Sequence, residues 1–197
     1  MLTGARRATA DDLDQVVEVL VASHLDYTWE QWALPFDDRG ERLARLYRSD
    51  VGTLALRSGE VWMTGCGRSV AVWLPADAFA GLGPDDLGVL DASARSAFGD
   101  RLSILDEVEG EVDAVRPPAD WHLATMGTMP DAQRRGLGTA VLGPRLEALD
   151  AAQATAVLET SDPGNILFYG QLGFEVVAEL TQLPHGAPTT WVMGRNA

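Results

Sequence analysis

The second half of the chain alternates between short apolar runs and longer amphipathic ones, and this alternation restricts the fold most. The segments predict, in order, the strand "WHLATMGTMP", a glycine loop, the helix "LGTAVLGPRLEALDAA", the strand "TAVLET", the short helix "SDPGNILFYGQLG" and the strand pair "FEVVAEL" and "TTWVMG". A nearly continuous apolar strand such as "TAVLET" is typical of a strand that is covered on both faces. The pattern therefore predicts an α/β unit in which a loop after a strand opens into a helix.

The first half adds a short strand, a hairpin and several helices. Residues 5–23 predict a strand followed by a helix, and residues 41–47 and residues 83–98 with their continuation predict further helices. The segment "GEVWMTGCGRSVAVWLPA" predicts a hairpin with a Gly-Cys-Gly turn. No repeat or linker interrupts the 197 residues, a length that suits one domain of roughly 100–200 residues. We therefore expect a single domain over 1–197.

The charge balance restricts the partners. The formal net charge is -14, which argues against nucleic acid and anionic membranes and favours cationic ligands such as amines. All 15 basic residues are arginine, so no lysine is present for a Schiff base or a phosphate loop. Cys66 is the single cysteine, which excludes an internal disulfide and predicts no Cys-based metal site. With no signal-like N-terminus and no membrane-length apolar run, we expect a cytoplasmic protein.

The loop "QRRGLGT", residues 133–139, has the features of an anion site. The first N–H groups of a helix have no partner within the helix, and the helix dipole adds positive charge there. Glycines allow a ligand to approach the backbone, and Arg134 and Arg135 can add charge-assisted hydrogen bonds. Together these features predict a pyrophosphate site, with a simple tight turn at a helix start as the alternative.

Two common phosphate motifs fit this loop poorly. The phosphate loop of NTPases requires a lysine, and the dinucleotide motif requires a third glycine where Val141 stands. The pattern Q/R-x-x-G-x-G/A of the GNAT superfamily of N-acetyltransferases matches at Gln133, Gly136 and Gly138.

A second GNAT motif follows at the expected spacing. The pattern N-x-x-F-Y-x-x-x-G-F matches at Asn165, Phe168, Tyr169, Gly173 and Phe174. The chain therefore resembles the GNAT superfamily from residue 121 to residue 174. The resemblance implies an α/β (α+β by some schemes) GNAT fold: a mixed, mostly antiparallel sheet with helices on both faces and a splayed central strand pair. It also implies acetyl-CoA as co-substrate, a cofactor-binding core at about 120–175 and an acceptor pocket formed partly by 20–118.

Within the superfamily, the chain is most similar to the puromycin N-acetyltransferases of actinobacteria. The similar segments are "VWMTGCGRSVAVW", "LATMG", "GLGTAVL", "LETSDPGNILFY" and "TTWVMGR". The similarity is clear over 121–197 and 61–73 and weaker over 24–60 and 74–118, so it implies the cofactor more firmly than the acceptor. The expected activity is direct acetyl transfer to a small-molecule amine, with puromycin or a related aminonucleoside or antibiotic as the specific expectation. Alternatives are a peptide or protein amine as acceptor, or a catalytically silent acyl-CoA-binding domain. The oligomeric state is left open between monomer and homodimer.

The resemblance assigns cofactor contacts to the strand, the loop and the following short helix. Backbone amides around Met126 to Thr128 are expected to bind the pantetheine arm and polarise the thioester carbonyl, with a bulge at Gly127. The full cofactor-binding set is Met126, Gly127, Thr128, Gln133, Arg134, Arg135, Gly136, Leu137, Gly138, Thr139, Asn165 and Phe168.

The catalytic candidates are few. Tyr169 is expected to donate a proton to the leaving thiolate, because a tyrosine of ordinary pKa, about 10, stays protonated at neutral pH; core packing is the alternative. The base is left open between Glu159, His122 and water, while His24 and His185 have no motif support.

Aromatic residues near the N-terminus are candidates for the acceptor side. Tyr27, Trp29 and Trp32 are expected to stack on an aromatic or nucleoside acceptor, with packing on the core as the alternative. Cys66, between two glycines, is interpreted as a turn residue, because no activating partner is visible.

Overall fold

The computed structural model describes residues 4–196, which form one seven-stranded sheet in the order β1-β2-β3-β4-β5-β7-β6. The strands are β1 (Ala5–Arg7), β2 (Glu60–Thr64), β3 (Ser69–Pro75), β4 (Trp121–Thr128), β5 (Ala156–Thr160), β6 (Glu175–Leu180) and β7 (Thr190–Arg195). Neighbouring strands pair antiparallel except β4 and β5, which are parallel. The prediction of a mixed, mostly antiparallel sheet is confirmed.

Most helices form where the apolar periodicity predicts them, and two short ones, Thr28–Ala33 and Leu56–Ser58, lie in segments for which no helix is predicted. The helices are α1 (Leu13–His24), α2 (Thr28–Ala33), α3 (Arg39–Ser49), α4 (Leu56–Ser58), α5 (Pro84–Phe98), α6 (Leu102–Val115), α7 (Leu137–Ala152) and α8 (Pro163–Gly170). A π-helical stretch, Asp50–Ala55, joins α3 to α4. Across residues 4–196, no helix combines the length and apolar character that crossing a bilayer requires.

The sheet is covered on both faces, as predicted. Successive side chains of a strand point to opposite faces. On β3, Val70 and Val72 join a buried cluster with α1 and α3, whereas Ala71 and Trp73 join a cluster with α7 and α8. The helices are thus divided into two layers with the sheet between them.

The central parallel pair separates after its first residues. Trp121 pairs with Ala156 and His122 with Val157, and the described ladder ends there. The rest of β4 and β5 diverge, which leaves a gap in the middle of the sheet. This confirms the predicted splayed strand pair and positions the site described below.

The bulge in β4 lies at a different residue from the one predicted. Val72 of β3 pairs with Thr125 and Trp73 pairs with Leu123, so Ala124 is the extra residue. The prediction of a bulge at Gly127 is therefore wrong, because Gly127 is in register with Val70.

The glycine at position 127 has a packing explanation instead. A Cβ on Gly127 would lie 2.0 Å from the Ser23 Oγ of α1, closer than any real contact. Glycine at this position lets α1 pack directly onto β4.

Candidate functional site

A cavity of about 760 Å³ opens where β4 and β5 diverge. Helices α1, α2, α3 and α6 contribute to its lining, as do the first turn of α7 and helix α8. The predicted site residues that line it are Tyr27, Trp29, Met126, Gly127, Thr128, Gln133, Arg134, Gly136, Leu137, Gly138, Thr139, Glu159, Asn165, Phe168 and Tyr169. The two predicted site residues that lie outside it are Arg135 and Trp32.

The glycine loop forms the start of α7. Gly136 is the N-cap residue with φ +77, a left-handed conformation that favours glycine. Within residues 4–196 no side chain caps this helix, so the N–H groups of its first turn stay available to a ligand. Arg134, also left-handed with φ +59, and Arg135 are both exposed. Gln133 ties the loop to β4, because its Nε2 donates to Thr128 O at 3.3 Å.

The backbone of the loop faces open space at Gly136 and is closely packed at Gly138. A Cβ on Gly136 would meet no heavy atom within 4 Å, so the backbone there faces open space. A Cβ on Gly138 would lie 3.2 Å from both Met126 Cε and Phe168 Cζ, so β4 and α8 meet the loop at this point. Free N–H donors, a helix N-terminus and adjacent arginines form a set that binds phosphate anions.

Helix α8 holds Tyr169 in the wall of the cavity. The Asp162 side chain caps this helix by accepting from Gly164 N at 2.8 Å, and Gly173, with φ +86, follows its end as the sequence predicts. The Tyr169 ring is 7% exposed and packs against Phe168 and Phe174. Burial, reinforced by the nearby Tyr27, raises the pKa of Tyr169 above its ordinary value, so its hydroxyl remains a donor.

Thr160 links Asn165 with Tyr27 at the end of β5. Asn165 Nδ2 donates to Thr160 Oγ1 at 3.0 Å, and the Tyr27 hydroxyl lies 2.9 Å from the same oxygen. Ser161 N donates to the Tyr27 hydroxyl at 2.6 Å. The Tyr27 hydroxyl is thus committed to β5, which leaves its ring for a ligand. Sequence reasoning missed Thr160, because a threonine at a strand end carries no motif signal.

Glu159 and His122 face each other across the gap between β5 and β4. His122 Nε2 lies 2.6 Å from Glu159 Oε2, and Nε of Arg116, the residue that follows α6, donates to Glu159 Oε1 at 2.6 Å. Arg116 also pairs with Asp113. Burial opposes ionisation of Glu159, but the bonds to His122 and Arg116 outweigh it and lower the pKa of this carboxyl group. Sequence reasoning missed Arg116, which reaches the site from the end of a helix 43 residues away.

Of the two histidines without motif support, His24 lines the cavity and His185 does not. The Nδ1 of His24 donates to Leu20 O at 2.9 Å, and its Nε2 lies 3.4 Å from Thr125 Oγ1. Burial lowers the pKa of His24, so its ring is neutral near pH 7. The cavity wall here also includes Glu30 and Tyr47, neither of which sequence reasoning identified.

The three aromatic residues predicted for the acceptor do not share one wall. Trp29 and Trp32 are in contact, with ring centroids 5.1 Å apart. Trp32 Nε1 donates to His185 O at 3.2 Å, and Arg101 lies over the Trp32 ring. Trp32 thus packs behind Trp29, which leaves Tyr27 and Trp29 at the cavity.

Cys66 lies in the turn between β2 and β3, outside the cavity, with its Sγ 3.5 Å from Thr64 Oγ1. In the part of the chain that the structure describes, no three His, Cys, Asp or Glu side chains are grouped in a way that suits a metal ion.

Known structures share this architecture over the whole chain. A structure described as histone acetyltransferase HPA2 and related acetyltransferase from Corynebacterium glutamicum is 22% identical, with a TM-score of 0.68, over 100% of this chain and 98% of that one. The polyamine N-acetyltransferase of Drosophila melanogaster is 15% identical, with a TM-score of 0.61, over 98% and 99%. A GNAT-family protein of Desulfovibrio desulfuricans is 14% identical, with a TM-score of 0.58, over 98% of each chain. No protein-family model matches the sequence. The comparisons establish that the chain has the GNAT fold.

Proposed function

We propose that this chain is an acetyl-CoA-dependent N-acetyltransferase that acetylates the amine of a small molecule. The observation that carries the proposal is the cavity at the divergence of β4 and β5. It joins an uncapped helix start at Gly136 to the His122–Glu159 pair. The GNAT fold and the acetyltransferases that share it support the same activity.

The loop and the end of β4 are the proposed cofactor site. N–H groups of Gly136 to Thr139 and the Arg134 guanidinium bind the pyrophosphate, with Arg135 adding positive charge from outside the cavity. The β4 backbone at Met126 to Thr128 positions the pantetheine arm and the carbonyl oxygen. The other proposed contacts come from Gln133, Leu137, Gly138, Asn165 and Phe168. When bound, acetyl-CoA supplies an acetyl thioester, the group that an amine attacks.

His122 is the proposed general base, oriented by Glu159. When Nε2 carries the hydrogen bonded to Glu159, Nδ1 is left as the acceptor for the proton of the attacking amine. The lowered pKa of Glu159 suits a carboxylate that holds and stabilises the imidazole rather than one that takes up the proton itself. Arg116 fixes the other carboxylate oxygen.

Tyr169 is the proposed proton donor to the departing thiolate. Its raised pKa keeps the hydroxyl protonated, and its ring is fixed by Phe168 and Phe174. No covalent enzyme intermediate is needed in this scheme, so Cys66 has no part in it.

The finer proposals concern the acceptor and the setting. Sequence similarity favours puromycin or a related aminonucleoside as the acceptor, which would give a role in antibiotic resistance. The Drosophila protein with the same fold is instead named as a polyamine N-acetyltransferase. Tyr27 and Trp29 line the cavity where an aromatic acceptor would stack. We further propose one cytoplasmic domain, with its cofactor-binding core at about 120–175 and its acceptor pocket partly from 20–118. It acts as a monomer or homodimer and has no nucleic-acid or membrane partner.

A thiol-release assay with acetyl-CoA tests the activity. Puromycin, other aminonucleosides, aminoglycosides, polyamines and peptides serve as acceptors, with the acetylated product identified by mass spectrometry. We expect CoA release with at least one small amine. Turnover of peptides alone contradicts the small-molecule assignment, and acetyl-CoA binding without any turnover indicates a silent binding domain.

A further inference from the structure

The acceptor side of the cavity contains a carboxylate that no cation neutralises. Glu30 of α2 lines the cavity, and its Oε2 atom is shielded from solvent without a hydrogen-bond partner. Its Oε1 receives a long hydrogen bond, 3.5 Å, from the Tyr47 hydroxyl, and the backbone N–H of Glu30 itself acts on the same carboxyl group. Within residues 4–196, the ion pairs involve other acids. An unpaired buried carboxylate is costly and requires an explanation.

Two arginines contact α2, but Arg39 donates to the carbonyl of Gln31 and Arg101 to that of Ala33 rather than to Glu30. Three further titratable groups of the cavity wall carry no charge near pH 7. They come from α1, α3 and the residue before α2: the His24 ring lies 5.6 Å from the Tyr47 ring and 5.8 Å from the Tyr27 ring. Burial lowers the pKa of His24 and raises those of Tyr27 and Tyr47, so all three are neutral. Burial also raises the pKa of Glu30 to about 7. A cation beside it would restore the charged form.

Two other carboxylates of the cavity, Glu159 and Glu109, have cations nearby, and a third, Asp162, caps α8 by accepting from Gly164 N. Glu159 is bonded to Arg116 and His122. Burial raises the pKa of Glu109 on α6, but the charge of Arg116 acts against this rise. Glu30 differs from all three, because within residues 4–196 neither an ion pair nor a helix cap accounts for its burial.

We infer that Glu30 is a specificity-determining residue that binds a second ammonium group of the acceptor. The substrate class is then α,ω-diamines and related dications, with one amine reacting at the β4–β5 gap and the other donating to the Glu30 carboxylate. This inference rests on the proposed function. The Tyr27 and Trp29 rings on the same wall suit a cation as well, since ammonium groups bind aromatic faces.

The test compares diamines with monoamines of the same length. Diamines from diaminopropane to diaminooctane are each paired with the matching n-alkylamine in the thiol-release assay. We expect a length optimum at which the diamine exceeds its monoamine about 10- to 100-fold in kcat/KM, the size of one charge-assisted hydrogen bond. Glu30→Gln, which keeps the shape and removes the charge, should abolish this ratio.

Two controls separate the site from general charge effects. Glu18→Gln makes the same change on the exposed surface of α1, and Asp50→Asn removes a buried carboxylate outside the cavity whose pKa burial also raises to about 7. Both should keep the diamine preference. The inference would be overturned if diamines and monoamines had equal kcat/KM at every length, or if Glu30→Gln left the diamine-to-monoamine ratio of kcat/KM unchanged.

A binding measurement keeps this outcome distinct from failure of the proposed activity. If no amine is acetylated, the diamines and monoamines are titrated by calorimetry in buffers of different ionisation enthalpy at pH 7. Diamine binding that releases protons, and that Glu30→Gln removes, supports the inference even without turnover. Absence of diamine binding, or binding without proton release, contradicts it.

Discussion

The two ends of the cavity are built in opposite ways. The proposed pyrophosphate site at the cofactor end comes from one continuous stretch, residues 133–139, and presents backbone N–H groups at a helix start. The acceptor end is assembled from side chains on α2, α3, α6 and β5, which are distant in sequence. A site made of backbone N–H groups can therefore be specified by one short segment of sequence. A site made of side chains from distant segments forms only when those segments pack together.

The two ends also differ in charge. Exposed arginines and the start of α7 make the cofactor end positive. The acceptor end buries carboxylates, of which Glu159 has cationic partners and Glu30 has none within residues 4–196. This polarity suits the proposed reaction, in which a polyanionic cofactor meets a cationic amine.

The largest expected effect is at the cofactor end. Gly136→Asp places a negative side chain where the backbone faces open space, and it also forces a non-glycine residue into φ +77. We expect acetyl-CoA binding to be abolished, measured as loss of the rise in melting temperature that the cofactor causes.

Gly99→Asp is the matched control, because Gly99 also has a positive φ, +57, and open space around it. Fragments lacking the pyrophosphate should stabilise the wild type much less than acetyl-CoA does. Unchanged affinity in Gly136→Asp would show that the loop does not hold the cofactor.

The same comparison explains what the sequence could predict. The succession of strands and helices in the second half of the chain and the glycine loop are predicted from local patterns, and the splayed pair is implied by the resemblance to the GNAT superfamily. The order of the strands within the sheet is not predicted from the sequence. Arg116, Thr160 and Glu30 carry no local signal, because their roles arise only when α6, β5 and α2 pack together. The bulge was misplaced because a glycine that permits helix packing looks, in sequence, like one that permits a bulge.

The next effect tests chemistry at the cofactor end. Tyr169→Phe removes the hydroxyl and keeps the packed ring, so folding and acetyl-CoA affinity should change little. If the hydroxyl assists the leaving thiolate, kcat should fall about 100-fold, the lower end of general-acid effects. Steady-state kinetics under conditions where chemistry limits the rate measure this.

Tyr27→Phe provides the contrast at the acceptor end. Its hydroxyl bonds Thr160 and Ser161, so its loss should raise KM for the amine more than it lowers kcat. If the Tyr169→Phe enzyme kept its full kcat, Tyr169 would be a residue that packs in the core and does not donate a proton to the thiolate.

A third effect concerns the base. His122→Gln should lower kcat/KM about 100-fold at pH 7 for an alkylamine. The deficit should shrink as the pH rises toward the amine pKa of about 10.4, because the neutral amine then no longer needs a base. The pH–rate profiles of wild type and variant measure this.

Glu159→Gln distinguishes the two candidates. If Glu159 acts through His122, its loss should cost less than that of His122. A larger loss in Glu159→Gln, or a His122→Gln deficit that is constant with pH, would instead favour Glu159 as the base.

The smallest expected effect is on the free energy of unfolding, which should depend on pH because of two buried carboxyl groups. Burial raises the pKa of Glu30 and of Asp50 to about 7, whereas unfolded carboxyl groups titrate at about 4. Between these values the folded state binds more protons, so the free energy of unfolding falls as the pH rises from about 4 to about 8.

Glu30→Gln and Asp50→Asn remove this loss and should each stabilise the protein at pH 9 by on the order of 1–3 kcal/mol, with no gain at pH 4. Thermal melts across this range measure it, with the exposed Glu18→Gln as control. An equal change in the free energy of unfolding at both pH values would show that these carboxyl groups do not have raised pKa values in the folded protein. The expected pattern for Glu30 would mean that a buried carboxylate in the wall of the acceptor end lowers the stability of the protein at high pH.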